Sequence, residues 1–189
     1  MKSSKTRASS GASVPSQNVS GELAPSAPGD FVRARGVTNP QYEQWMDRAL
    51  ILAGEAAANG DVPIGAIVLD VAGEVIGQGY NRREVDHDPT AHAEVVAIRQ
   101  AARQRGSWRL EDCTLVVTLE PCLMCAGSIL LARIPRVVMG AWEEKMGAAG
   151  SQYDVLRDRR YPHTVEVISG VREQECAEIL RVFFKEHRP

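Results

Sequence analysis

Three residues constrain the fold of this chain more than any others: His92, Cys122 and Cys125. His92 stands in His92-Ala93-Glu94, and the cysteines stand in Pro121-Cys122-Leu123-Met124-Cys125. Cysteines at i and i+3 lie on one face of a helical turn and can pinch one cation. Pro121 suits a helix start, where unpaired N–H groups favour thiolate over thiol. The fold must therefore carry the His92 segment onto the start of a second helix, so that two helix N-termini meet at one metal. Three protein ligands leave one tetrahedral position open, which is the layout of a catalytic zinc site rather than a structural one. A water in that position has its pKa lowered to about 7. Glu94, two residues beyond His92, is the proton carrier such a water needs. Cys-x-x-Cys alone would serve redox chemistry or a closed zinc staple as well. The joint pattern, with no fourth Cys or His in it, points to the open site. The mixed Cys and His set favours zinc over iron.

Composition narrows the remaining choices. The chain has 189 residues, 44% of them hydrophobic, enough for one domain plus a tail. A net charge of −2 does not announce a nucleic-acid binder, so any grip on RNA must come from a local basic patch. No apolar run approaches the roughly 18 residues that a membrane span needs. Four cysteines are present; those outside the metal set, Cys113 and Cys176, read as buried free thiols in a reducing cytoplasm.

Residues 1–37 read as a disordered N-terminal extension, rich in Ser, Ala, Gly and Pro and without apolar periodicity. Lys2, Lys5 and Arg7 with no acid in the first twenty residues also fit an organellar transit segment; a plain extension is the expectation. The folded domain spans 38–189. Asn39 is a good N-cap and Pro40 a good first helical residue, and Tyr42, Trp45, Met46, Ala49, Leu50 and Leu52 recur at helical spacing to about Asn59-Gly60. Pro63 to Leu69 and Val75 to Tyr80 read as strands joined by a turn at 70–74. A polar loop, Asn81 to Thr90, leads into the helix of His92 and Glu94. Cys113 to Thr118 reads as a strand, Cys122 to Leu131 as a helix, and Pro135 to Met139 and Thr164 to Ile168 as further strands. Val171 to His187 reads as an amphipathic helix with Ile179, Leu180, Val182 and Phe183 on its apolar side. This order predicts an α/β fold, a three-layer α-β-α sandwich around a mixed five-stranded sheet.

His-x-Glu followed by Pro-Cys-x-x-Cys is the known signature of zinc nucleobase deaminases. From about Tyr42 to Arg188 the chain resembles the bacterial tRNA-specific adenosine deaminases of the cytidine-deaminase-like superfamily. The resemblance is carried by Val62-Pro63-Ile64-Gly65-Ala66, by His87-Asp88-Pro89-Thr90-Ala91-His92-Ala93-Glu94, by the run from Thr118 through Pro121-Cys122 to Cys125-Ala126-Gly127, and by Gly147-Ala148-Ala149-Gly150-Ser151. It implies hydrolytic deamination of adenosine to inosine at the wobble position of a tRNA anticodon, in a cytoplasmic homodimer holding one zinc per subunit. It implies that Glu94 takes a proton from water, delivers it to N1 of adenine and later protonates the leaving amine. Asn81 would hydrogen-bond the flipped base, with the backbone of Ala93, Leu119 and Glu120 flanking it. Anticodon loops already present unpaired bases, which lowers the cost of flipping one out.

Candidates for gripping the loop are Arg82, Arg83, Lys145, Arg157, Arg159, Arg160 and Lys185, with Phe184 and Tyr161 as stacking platforms. The resemblance favours Lys145 and Phe184. Ile129, Leu130 and Leu131 are candidate dimer-interface residues, although core positions explain them as well. The sequence departs from the family at Glu143, where Asp is common, at Arg83, where Pro is frequent, and at Arg157-Asp158-Arg159-Arg160. These positions bear on RNA recognition rather than on the reaction. Two other readings use the same residues: a free-base or nucleoside deaminase related to guanine deaminases, and a zinc-stabilised RNA-binding module without catalysis. The second needs neither Glu94 nor an open metal position.

Overall fold

The computed structural model describes residues 39–187; the extension expected over 1–37 lies outside them. Helix α1 (Pro40–Ala58) begins as its sequence dictates, with the Asn39 side chain accepting the Gln41 N–H at 3.0 Å and Pro40 in the first turn. Strands β1 (Gly65–Leu69) and β2 (Val75–Tyr80) form an antiparallel hairpin. Asp70 closes its turn by accepting the amides of Ala72 and Glu74. Then follow α2 (Arg83–Asp86), α3 (Ala93–Arg105), β3 (Thr114–Leu119), α4 (Leu123–Ala132), β4 (Arg136–Ala141), β5 (Glu166–Ile168) and α5 (Glu173–Glu186).

The sheet order is β2-β1-β3-β4-β5. β1 pairs antiparallel with both β2 and β3, whereas β3, β4 and β5 run parallel, so the sheet is mixed, as expected. Alternation along the strands sends side chains to two cores. Ala66, Val68, Leu115, Val117, Val137 and Met139 meet α3 and α4 on one face. Ile67, Leu69, Val116 and Val138 meet Met46, Ala49 and Leu52 of α1, and Cys176 of α5, on the other. Two cores on opposite faces make the three layers.

One close approach fixes the helix that matters most. A side chain at Gly79 of β2 would lie 2.6 Å from the Ala93 carbonyl and 2.7 Å from the Ala97 amide. The missing side chain lets α3 lie directly on the sheet edge.

Several expectations need correction. The loop before His92 contains the one-turn helix α2, held from outside by Asp61, whose buried carboxylate accepts the amides of Glu84 and Val85. Val182 of α5 is exposed; Phe183 and Cys176 are the buried residues of that helix, because only one narrow stripe of α5 touches β4, β3 and α1. Ile129 and Leu130 are buried in the chain's own core, which removes them from any interface, while Leu131 is 75% exposed. Cys113 and Cys176 are buried free thiols, as expected, and burial pushes them up to about 11 and about 12.

Candidate metal centre and base pocket

The metal centre forms where two helices start. His92 is the N-cap residue of α3 and Cys122 that of α4; neither side chain caps its own helix, so both are turned to other work. Cys125 follows one turn into α4 and is fully buried. The loop bearing Cys122 is anchored by Ala148, whose amide donates to the Pro121 carbonyl at 2.8 Å, and by a bridge between Cys122 and Gly147. The His92 loop is tied to the sheet by the Arg82 amide, which donates to the Ala91 carbonyl at 2.9 Å.

Sulfur atoms of Cys122 and Cys125 lie 3.7 and 3.5 Å from Nδ1 of His92, and all three donor atoms fall within 4.8 Å of one another. Zinc bonds of ~2.3 Å to sulfur and ~2.0–2.1 Å to nitrogen give a tetrahedral S···N edge of about 3.6 Å. The donor set therefore fits zinc in chemistry and in spacing. The three donor groups shift one another's protonation. Cys122 is drawn down to about 4 by its hydrogen bonds to Cys125 and His92. Cys125 is pushed the other way by the neighbouring Cys122 sulfur and by burial. The contact with Cys122 also raises His92. A bound divalent cation overrides the thiol order by deprotonating any thiol it coordinates.

Glu94 sits in the first turn of α3, 4% exposed. Burial pushes its carboxyl up to about 7. That places it near neutral pH, where a group that both takes and gives a proton works best; a cation beside it draws it back down. The metal loop, Glu94 and the end of β2 enclose a pocket of about 200 Å³. Asn81, His92, Glu94, Leu119, Glu120 and Cys122 contribute to its lining, as do Met146 and Phe184. The carboxamide Oδ1 of Asn81 is buried with no hydrogen-bond partner. An unpaired buried acceptor is costly, and this one is on a residue of the pocket lining. The pocket is small beside sites that enclose drug-sized ligands, roughly 300–1,000 Å³, and is scaled to a single ring system.

The expected site residues separate into those the fold brings together and those it does not. His92, Glu94, Cys122, Cys125 and Asn81 converge, and Leu119, Glu120 and Phe184 line the same pocket. Ala93 is buried with its carbonyl against β2 and does not line it. Lys145 is exposed outside the lining, its amide donating to Glu143 Oε1 at 2.8 Å. Among the basic candidates Arg82 pairs with Asp86, Arg157 with Asp154 and Arg160 with Asp158, whereas Arg83 reaches the pocket. Met146 and Leu180 also line the pocket without having been expected there. The helical spacing of Leu180 and Phe184, one turn apart on α5, is the signal that could have paired them.

The sequence profile of the cytidine and deoxycytidylate deaminase zinc-binding region matches residues 39–141. The tRNA-specific adenosine deaminase of Haemophilus influenzae is 48% identical over 146 residues, covering 77% of this chain and 84% of that protein. Its Bacillus subtilis counterpart is 45% identical over 148 residues, covering 78% and 91%. A solved structure from work on A-to-I editing by tRNA:A34 deaminases superposes with a TM-score of 0.70 at 42% identity, covering 72% of this chain and 99% of that one. The guanine deaminase of Nitrosomonas europaea shares the fold with a TM-score of 0.67 at 22% identity.

A metal-content measurement checks the centre directly. Purified protein is expected to carry one zinc per chain, and Cys122→Ser and Cys125→Ser to carry almost none. Zinc at 100 times its dissociation constant stabilises the fold by about 2.7 kcal/mol, which corresponds to a rise in Tm of roughly 5–10 °C for a domain of this size. No shift between chelated and zinc-loaded protein would remove the centre.

Proposed function

The chain belongs to the tRNA-specific adenosine deaminases of the zinc-dependent cytidine-deaminase superfamily, and from that premise we propose that it converts adenosine to inosine at the wobble position of tRNA anticodons. The observation that carries the reading is the convergence of a three-ligand metal set, a buried Glu94 and the unpaired Oδ1 of Asn81 on one small pocket.

His92, Cys122 and Cys125 hold the zinc, which when bound supplies a Lewis acid that lowers the pKa of water to about 7. Glu94 takes the proton of the attacking water and delivers it to N1 of adenine as the bond to C6 forms. It then takes the proton of the new C6 hydroxyl and passes it to the amine, so that the C6–N bond breaks as the C6 carbonyl forms, with ammonia leaving and inosine remaining. Burial keeps bulk water from competing for that proton. Asn81 presents an acceptor to a donor on the base edge and holds the ring in register. Phe184, half exposed at the mouth on α5, offers a stacking face, and Leu119 and Glu120 form the wall beside it. Arg83, in the pocket lining, and the exposed Lys145 would serve as cations for the phosphate backbone of the loop.

The residues from 38 onward act as the deaminase domain, and the extension before them is not needed for the chemistry. The active species is a homodimer in the cytoplasm. Leu131 and Leu123, both exposed on α4, are the apolar surface this dimer would cover. Among the described residues no helix is long and apolar enough to cross a membrane. Sedimentation at micromolar concentration checks the dimer, and a monomer would remove it.

The reaction is tested on an anticodon stem-loop with adenosine at the wobble position, beside free adenosine, cytidine and guanine. Inosine at that position alone is the expected result. Turnover of a free base with none on RNA would keep the site and replace the substrate.

A further inference from the structure

The polar contact pattern around Glu120 is unlike that of a ligand-binding carboxylate. Glu120 is 2% exposed, between the end of β3 and the metal-ligating loop. Both of its oxygens are engaged by backbone amides from one distant segment. Oε2 accepts the Glu143 amide at 3.0 Å, and Oε1 accepts the amides of Ala149 and Ser151 at 2.9 and 3.0 Å. The segment is closed on itself as well. The Glu143 carbonyl accepts from the Gly147 amide at 3.0 Å and from Ser151 Oγ at 2.7 Å. At its centre is Gly147, where the space a side chain would need is filled by the Glu120 carboxylate and Ser151 Oγ. Carboxylate and glycine therefore fit as plug and socket. The segment carries no helix or strand of its own, and it places Glu143 and Met146 in the pocket lining.

We propose that Glu120 is a positioning residue for substrate: its buried carboxylate, by holding the amides of Glu143, Ala149 and Ser151, fixes the segment 143–151 as one wall of the base pocket. The inference rests on the deaminase reading of the same site and goes beyond it by assigning Glu120 to the wall rather than to the base. A carboxylate suits this task because it accepts several N–H groups and donates none. A carboxamide of the same size must turn an NH2 toward at least one of the three amides. Glu120→Gln keeps the volume and breaks the clamp.

The test uses the zinc-loaded full chain as wild type, Glu120→Gln, Met146→Ala and the double variant, with the anticodon stem-loop as substrate. Losing one hydrogen bond to a charged group is expected to raise KM in Glu120→Gln about tenfold, with kcat within about threefold. Zinc stays at one per chain. In the Met146→Ala background the same change is expected to raise KM much less, because contacts that act through one wall are not additive. Amide hydrogen exchange at Glu143, Ala149 and Ser151 becomes faster in Glu120→Gln. An unchanged KM with a lowered Tm would overturn the proposal in favour of a purely structural carboxylate. So would additive effects in the double variant, or unchanged exchange at the three amides. If the wild type forms no inosine, the substrate reading fails while the exchange measurement still decides the clamp.

Discussion

Glu94→Gln is expected to leave a folded, zinc-loaded protein whose turnover on the stem-loop falls toward the upper end of the 10²–10⁴-fold range for general acid–base catalysis. The substitution preserves size and removes the ability to take a proton. Glu94 is buried in the first turn of α3, so no water chain substitutes for it cheaply. The same group is used twice, first as base toward water and then as acid toward the leaving amine. Its loss therefore touches two proton transfers. Zinc content by elemental analysis and inosine formation by chromatography separate the two expected outcomes. A variant that keeps zinc and loses turnover fits the assignment; a variant that keeps turnover sinks it. KM is expected to move little, because the proposed contacts to the base, from Asn81 and the pocket wall, are unchanged.

The second large effect lies away from the chemistry, at Gly79. A methyl group there would meet the backbone of α3 at 2.6–2.7 Å and Val96 Cβ at 2.8 Å. Backbone cannot rotate aside as a side chain can, so the helix must lift from the sheet. Overpacking of this kind costs about 1–3 kcal/mol, a fall in Tm of roughly 2–12 °C for a domain of this size. The lifted helix is the one whose N-terminus carries His92. Zinc affinity is expected to fall along with stability, by about the 10–100-fold seen when the support of a metal ligand is disturbed. The control is Gly54→Ala in α1, where nothing lies within 4 Å of the added carbon. It is expected to be neutral or to stabilise by about 0.4–1 kcal/mol. Thermal melts and zinc titrations of both variants check the pair. Equal behaviour of Gly79→Ala and Gly54→Ala would show that the close approach carries no stability.

Much of this architecture is legible in the chain because it rests on local rules. Asn39-Pro40 announces α1, two strand-like runs joined by a turn announce β1 and β2, and the spacing of Cys122 and Cys125 announces a ligand-bearing helix start. The three ligands are readable because metal chemistry restricts residue types severely. What sequence reading misses depends on contacts between residues far apart. Asp61, in the turn after α1, holds α2, and Glu120 holds amides in the segment 143–151. Side-chain-to-backbone bonds of this reach leave no periodic trace, since any amide can be the donor. Ile129 and Leu130 mislead in the opposite direction. An apolar run on a helix looks the same whether it faces a partner or the chain's own core, and here the core takes two of its three residues. Val182 fails for a similar reason, because a stripe wide enough to fill one helix face exceeds what β4, β3 and α1 can cover.

The plug-and-socket fit of Glu120 with Gly147 also bears on how this enzyme could be remodelled. The proton carrier and the metal ligands stand at the starts of two helices rooted in one core. The proposed wall is held by the Glu120 carboxylate together with the Ala148–Pro121 hydrogen bond and the Cys122–Gly147 bridge. A designer could therefore vary residues 143–146 while leaving 147–151, which also brace the Cys122 loop, unchanged. New residues at 143–146 would alter which ring the pocket admits, provided that the acid at 120 and the glycine at 147 are kept as the fitting.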